Sequence, residues 1–331
     1  MVTIIDVAEK ANVSITTVSR VLNDSTHKVN KNTKEKVLVA VKELDYRPNA
    51  LAQSLSRKRS MTIGVVIPDI SNPYYSEVVR GIQDKADKEG YSVLIQNTDR
   101  KIEKITQSIY VFREKHTDGV IFAGGAVLSK DMISSLKNLA SRSVAIGRFE
   151  VDIPSVRVDN QNAIFKAVSH LIELGHREIA YINGPVESST VMQDRLEGFK
   201  KALPHFNCTI RPEFIRTGSI TIEGGYNQVQ DLVRKNPRPR AVILANDQMA
   251  FGAAKAISEA NLKIPEDIAL IGFDNIPLSS YFDPPITSIE IPRHKLGYAA
   301  METLIKLIAG EEIEKVQWFD VELIKRQSTV S

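Results

Sequence analysis

At 331 residues the chain exceeds what one typical hydrophobic core supports, so two or three domains are expected. Its net charge is only +3, yet residues 1–60 carry 11 Lys and Arg against 6 Asp and Glu, so the basic charge is concentrated at the N-terminus. No apolar run is long enough to span a bilayer, and residues 1–10 lack the apolar core of a signal peptide. The single Cys208 allows neither an internal disulfide nor a cysteine metal cluster, and a cytoplasmic protein is expected.

Residues 7–23, VAEKANVSITTVSRVLN, read as two short helices. Val7, Ala8 and Ala11 follow helical spacing, Asn12 suits a turn because it tolerates left-handed backbone, and Ser14 suits an N-cap. In the second helix Val18, Val21 and Leu22 form one apolar stripe, leaving Ile15, Thr16, Ser19 and Arg20 on the opposite face. This spacing fits a helix-turn-helix and equally any small helical hairpin. The concentrated positive charge points to a polyanionic partner. A solvated basic tail would also carry charge, but it would not need the apolar periodicity of TKEKVLVAVKELDY at 33–46. There Val37, Val41 and Leu44 predict a third helix that covers the first two.

Residues 47–60, RPNALAQSLSRKRS, follow. Pro48 breaks the third helix, and Asn49 can cap a new one over residues 50–56. Two turns are too few to be stable alone in water, and Leu51 and Leu55 would lack a core. The segment is either a loose linker or one that folds only on DNA, paired, with leucine wedged into the minor groove.

From residue 61 the pattern changes. MTIGVVIPDI, YSVLIQNT, DGVIFAGG and SVAIG read as strands. Helices between them are predicted in YYSEVVRGIQDKADKEG, closed by Gly90, in IEKITQSIYVFREKH and near 130–140. This is the order of a parallel, doubly wound sheet. The pattern then restarts with the helix NAIFKAVSHLIELGH, ended by Gly175. The strands EIAYING, 214–217, RAVILAND and DIALIGFD alternate with helices DRLEGFKKAL, 225–234 and QMAFGAAKAISEA. Two such α/β lobes enclose a cleft at the C-terminal ends of their strands. The loops there, PDISNPYY, NTDR, AGGA, GRFE, NGPVESS, ANDQ and GFDNIP, are polar with some aromatics and suit a polar small molecule.

No catalytic constellation is visible: there is no Walker A, no G-x-S-x-G and no H-E-x-x-H. The pairs Gly124-Gly125 and Gly224-Gly225 read as turns. His170 and His176 read as structural. Asp69, Asp247 and Asp274 stand at strand ends, where hydrogen bonding to a ligand is the simpler role than acid–base chemistry.

Over its whole length the chain resembles the lactose-repressor/galactose-repressor (LacI/GalR) family of transcription regulators. The segments that carry the resemblance are TIIDVAEKANVSITTVSRVLN, YRPNALAQSLSRKR, IGVVIPDISNPYY, HLIELGHREIAYINGP, DRLEGF, ANDQMAFGA and IALIGFDNIPLSSYFDPPITSIEIPRHKLG. The resemblance implies an all-α helix-turn-helix head at 1–47 and a hinge helix at 48–60. It implies a periplasmic-binding-protein-like α/β core of two doubly wound lobes at 61–331. The N-lobe would take about 61–160 and 292–322, the C-lobe about 161–291 and 323–331.

A homodimer on double-stranded, pseudo-palindromic operator DNA follows from the resemblance, acting as a repressor in the bacterial cytoplasm, at the nucleoid. Its affinity would be controlled by a small-molecule effector, a sugar or sugar derivative, with no cofactor, metal or catalysis. Ile15, Thr16 and Arg20 are placed on the major-groove face, and Arg20 can fork onto a guanine. Ser14, Thr17 and Asn23 fall near phosphates. In the hinge, Asn49 and Ala52 join Leu55, which matches the leucine inserted at the operator centre. The cleft match places Arg195, Asn246 and Asp274 on effector polar groups, with Tyr74, Arg148, Ser189, Ile220, Tyr281 and Arg293 lining the same pocket. Two positions depart from the family pattern: Ile220 stands where an aromatic is frequent, and Ala123 replaces a polar group of some sugar responders. No leucine-heptad tail follows ELIKRQSTVS, so a tetramer built on one is not expected. A periplasmic binding protein would share the core but not the head, and an enzyme would need catalytic groups that the cleft lacks.

Overall fold

The computed structural model describes residues 2–22, 29–46, 59–126 and 140–330. Asn23, Asn49, Ala52 and Leu55, the hinge helix expected over 50–56, and nearly all of the helix expected near 130–140 lie outside the described residues. The chain divides into two compact units. One is Met1–Thr62 with His116–Asp118; the other is the remaining α/β core.

In the first unit, α1 (Ile4–Ala11), α2 (Ile15–Leu22) and α3 (Lys31–Glu43) pack around Val7, Ala8, Ala11, Val18, Val21, Val37 and Ala40. Thr3 and Asp6 form a reciprocal capping box, with the Thr3 amide 2.7 Å from the Asp6 carboxylate. That backbone hydrogen bond holds the Asp6 carboxyl below its ordinary range. Asn12 ends α1 in the left-handed region at φ 52°, and Ser14 Oγ accepts from the Thr17 amide at 3.1 Å. Asn30 caps α3 two residues earlier than the apolar pattern indicates, because its side chain accepts the Asn32 amide. Asp45, at φ 44°, ends the helical run. Asp118 accepts hydrogen bonds from the amides of Ser60 and Met61, at 2.7 and 3.0 Å.

The core contains two six-stranded sheets. Its elements run β1 (Thr62–Ile67), α4 (Pro73–Lys88), β2 (Ser92–Asn97), α5 (Ile102–Glu114), β3 (Gly119–Ala123), β4 (Ser143–Ile146), β5 (Ser155–Val158), α6 (Asn160–Glu173), β6 (Ile179–Asn183), α7 (Thr190–His205), β7 (Ile215–Thr217) and α8 (Ile222–Val233). They continue with β8 (Ala241–Leu244), α9 (Asp247–Glu259), β9 (Ala269–Asp274), α10 (Leu278–Tyr281), β10 (Thr287–Glu290), α11 (Arg293–Ala309), β11 (Val316–Phe319) and β12 (Glu322–Ile324). The first sheet has the order β11-β5-β4-β3-β1-β2 and the second β12-β10-β9-β8-β6-β7. The ladders β1–β3, β3–β4, β4–β5 and β5–β11 are parallel, as are β6–β7, β6–β8, β8–β9 and β9–β10; β12 is antiparallel to its neighbour β10. Central strands such as β3, β6 and β8 are buried throughout, as parallel strands covered by helices on both faces must be. Among the described residues the chain crosses between lobes three times: after β5, after β10 and between β11 and β12.

One reading from sequence changes. Gly224 and Gly225 lie inside α8, not in a turn. A Cβ on Gly225 would stand 2.0 Å from the Met249 carbonyl oxygen, and one on Gly252 1.8 Å from that of Ile222. These glycines exist so that α8 and α9 can cross backbone to backbone. The other pair, Gly124-Gly125, is the turn expected, with φ 98° and 61°. His170 is structural, its Nε2 2.9 Å from Thr329 Oγ1 in the interior. Among the described residues no helix is long and apolar enough to cross a membrane.

Candidate functional site

The C-terminal ends of the strands of both core sheets face each other across a cavity. From the first lobe, Tyr74 and Tyr75 enter on the opening turn of α4, Arg100 on the loop after β2, and Arg157 on β5. From the second, Ser189, Arg195, Ile220, Asn246 and Asp274 enter on strand-end loops and helix starts. Proline at the first position of α4 and the Asn72 cap, whose side chain accepts the Tyr74 amide, fix the direction of the two tyrosines.

Arg195 is only 6% exposed. Its Nε donates to Asn160 Oδ1 at 2.9 Å and its Nη1 to the Ala245 carbonyl at 2.6 Å. Its guanidinium carbon stands 3.4 Å from the Phe273 ring centre. The group is thus locked before any ligand arrives. Asn246 caps α9, its Oδ1 accepting the Met249 amide at 2.9 Å. Its Nδ2 is buried with no partner among the described residues, an uncommon state for an interior donor. A ligand oxygen in the cavity would satisfy it.

Asp274 closes β9 with φ 99°, a backbone conformation that non-glycine residues adopt only at a cost. Burial pushes its carboxyl up to about 7; Arg195 opposes that shift, the Asp247 charge adds to it, and Arg293 and Arg100 oppose it. Burial raises Asp247 to about 6, although Ser288 Oγ, Ser279 Oγ and the Ile276 amide donate to it at 2.6, 2.7 and 2.8 Å. Those bonds tie Asp247 to the loops after β9 and to β10. Asp69 accepts from Ser71 in its own loop. Of the three strand-end aspartates, only Asp274 lines the cavity.

Six of the nine expected effector residues line this cavity: Tyr74, Ser189, Arg195, Ile220, Asn246 and Asp274. The other three stand elsewhere. Arg148 reaches from the first lobe to α7 of the second, where its Nη2 and Nε donate to Asp194 at 2.9 and 3.2 Å. Arg293 sits behind Asp274 and donates to its carbonyl oxygen, and its Nε is buried without a partner among the described residues. Tyr281 is 86% exposed. Sequence reasoning missed Arg100, Arg157, Tyr75 and Asn160. Arg100 stood within NTDR, a loop recognised as facing the cleft. Arg157 and Asn160 flank the end of β5, a strand too short and too polar to read.

A second, apolar cavity adjoins the first through Arg100, Gly124, Ser189 and Ile220. Phe122, Phe149, Ile102 and Ile105 form its wall, together with Ala123.

On the head, Ser14, Ile15, Thr16 and Arg20 are exposed and Thr17 is half-buried. Ile15, Thr16 and Arg20 occupy the side of α2 opposite Val18 and Val21, and Ser14 and Thr17 stand at its N-terminal end. One polar and cationic face is therefore held out by a packed three-helix core.

A family model described as bacterial regulatory proteins, lacI family, matches residues 3–49, and one described as a periplasmic binding protein-like domain matches residues 168–329. The HTH-type transcriptional regulator RegA of Clostridium saccharobutylicum is 37% identical over 328 residues, 98% of each chain. Catabolite control protein A of Priestia megaterium is 36% identical over 95% of this chain and 94% of its own length. The crystal structure of the Lac repressor dimer bound to operator and the anti-inducer ONPF is similar at a TM-score of 0.90 and 32% identity, covering 100% of this chain and 99% of that one.

Proposed function

Because the chain belongs to the LacI family of bacterial regulatory proteins, whose members are DNA-binding transcriptional regulators and not enzymes, we propose that it is a repressor whose operator affinity is set by a hydroxylated small molecule, a sugar or sugar derivative, bound between the two core lobes. The observation that carries this is the fixed guanidinium of Arg195 beside the unpartnered Nδ2 of Asn246 in one cavity. Donors held in place before binding give orientation at low entropic cost.

Side chains from both lobes line the cavity, so a ligand that contacts both favours one lobe arrangement and shifts that population. The head is proposed to read DNA through α2, with Thr16 and Arg20 at base edges and Ser14 and Thr17 near phosphates. Asn23, Asn49, Ala52 and Leu55 are proposed to extend that contact. The functional unit is proposed to be a homodimer. Ile222, Leu278 and Tyr281 are large apolar side chains left more than half exposed on the second lobe, as a self-complementary face would leave them.

The test is thermal melting against sugars, sugar derivatives and nucleosides, followed by operator binding with each hit. Binding to the folded state raises the melting temperature by mass action. A hit that raises it in the wild type, fails to do so in Arg195→Ala, and changes operator affinity supports the reading. A hit whose effect is the same in Arg195→Ala places its site elsewhere.

A further inference from the structure

We propose that the effector carries an anionic group, a phosphate or a carboxylate, besides its hydroxyls, and that Arg157 and Arg100 receive it. This rests on the cavity being the effector site. Three guanidinium groups line that cavity, Arg100, Arg157 and Arg195, against one carboxylate, Asp274. Among the described residues, no carboxylate lies within ion-pair distance of any of the three. Arg195 donates to a side-chain amide and a backbone carbonyl, both neutral. The Nε of Arg157 donates to Ser155 Oγ at 2.8 Å. Arg100 faces the hydroxyl of Tyr75.

Neighbouring groups do not neutralise this charge. Behind Asp274 stand Arg293 and Asp247, one cation and one carboxyl. Burial raises Asp274 to about 7, so near neutral pH it supplies only part of a negative charge. Burial, and then the positive charge of Arg148, lower the affinity of Arg157 for its proton; the Asp194 carboxylate, already paired with Arg148, opposes them.

A neutral polyol needs no such excess. One arginine and one aspartate supply the donors and acceptors that its hydroxyls use. Further cations held in a half-buried cavity without counter-charges are costly unless something completes them. Guanidinium groups match phosphate and carboxylate oxygens with two parallel hydrogen bonds, and those charge-assisted bonds are roughly twice as strong as neutral ones. Arg157 and Arg100 enter from the first lobe and Arg195 and Asn246 from the second. An anionic group on the first pair, with the hydroxylated body on the second, would join both lobes through one molecule.

The experiment is calorimetric titration of the full-length protein at pH 7 with inorganic phosphate, glucose, glucose 6-phosphate and gluconate. The expected result is that inorganic phosphate binds, and that glucose 6-phosphate or gluconate binds at least tenfold more tightly than glucose. Which of the two wins distinguishes phosphate from carboxylate. Arg157→Gln should remove the preference, and Arg157→Lys, which keeps the charge, should retain part of it; a preference unchanged in Arg157→Gln overturns the assignment. Equal or tighter binding of glucose overturns the anionic inference, and if that binding needs Arg195 the effector site itself stands. Failure of phosphate and both anions to bind overturns the inference as well. Binding that is indifferent to both Arg157→Gln and Arg195→Ala overturns the cavity as effector site.

Discussion

Arg148 and Asp194 join the two lobes directly, so cutting this pair tests how the lobe arrangement is held. Arg148 extends from the loop after β4, and Asp194 stands on α7 next to Arg195. The fork consists of Nη2–Oδ1 at 2.9 Å and Nε–Oδ2 at 3.2 Å, and Nη2 also lies 3.4 Å from the Thr190 carbonyl. Hydrogen bonds to charged groups contribute about 1.5–3 kcal/mol when well enclosed. Exposed pairs contribute about 0–1 kcal/mol. The Arg148 side chain is 37% and that of Asp194 22% exposed, between these limits, and solvent screening draws the value toward the lower one. A coupling energy of about 1 kcal/mol is expected. That is about a fivefold change in the balance between lobe arrangements. The assay is a double-mutant cycle of Arg148→Ala and Asp194→Ala, read by urea unfolding and by the affinity of an effector. Coupling below about 0.3 kcal/mol in both readouts would refute the pair as a latch, since independent sites add within about that margin.

The other expectations concern separate parts of the molecule. Arg20→Ala should cost about 1–3 kcal/mol per half-site and relax the preference at one base pair, measured by anisotropy against a set of operator variants; uniform loss on every sequence would argue against base reading. Gly252→Ala should destabilise the core by at least about 1–3 kcal/mol in urea unfolding, because its Cβ would meet the Ile222 carbonyl oxygen at 1.8 Å. A wild-type midpoint would show that the α8–α9 crossing can open. Asp274 is raised to about 7 from an unfolded value near 3.8, so the folded state holds the proton more firmly. Its contribution therefore disfavours folding increasingly as pH rises from about 4 to about 7, and Asp274→Asn should gain stability over wild type across that window. A difference between the two that is flat with pH would remove burial as the cause.

The parts of the fold visible in sequence were those fixed by local chemistry. Asn12 and Ser14 marked the turn and cap of the head, and Val18 and Val21 marked which side of α2 packs inward. The strand ends and helix starts of the core carried Arg195, Asn246 and Asp274 into one cavity. What stayed hidden depends on contacts between distant segments. Arg148 resembles a cleft cation until Asp194, 46 residues later, is seen beside it. Tyr281 follows the same cleft-facing loop as Asp274, but α10 turns it outward. The four residues of β5 alternate too briefly to announce a strand, so Arg157 went unrecognised. Gly224 and Gly225 resembled turn residues because glycine serves both flexible turns and close helix crossings, and only the partner helix distinguishes the two.

The central claim is that a molecule in the cavity controls the grip of the head on DNA. The most direct measurement is operator affinity, with and without a ligand that raises the melting temperature, for wild type and Arg195→Ala. The expected wild-type ratio is at least about fivefold, corresponding to a coupling of about 1–3 kcal/mol. In Arg195→Ala the ratio should fall to one at the same ligand concentration. An unchanged ratio in the variant would contradict the account, and so would a wild-type operator affinity that no cavity ligand alters.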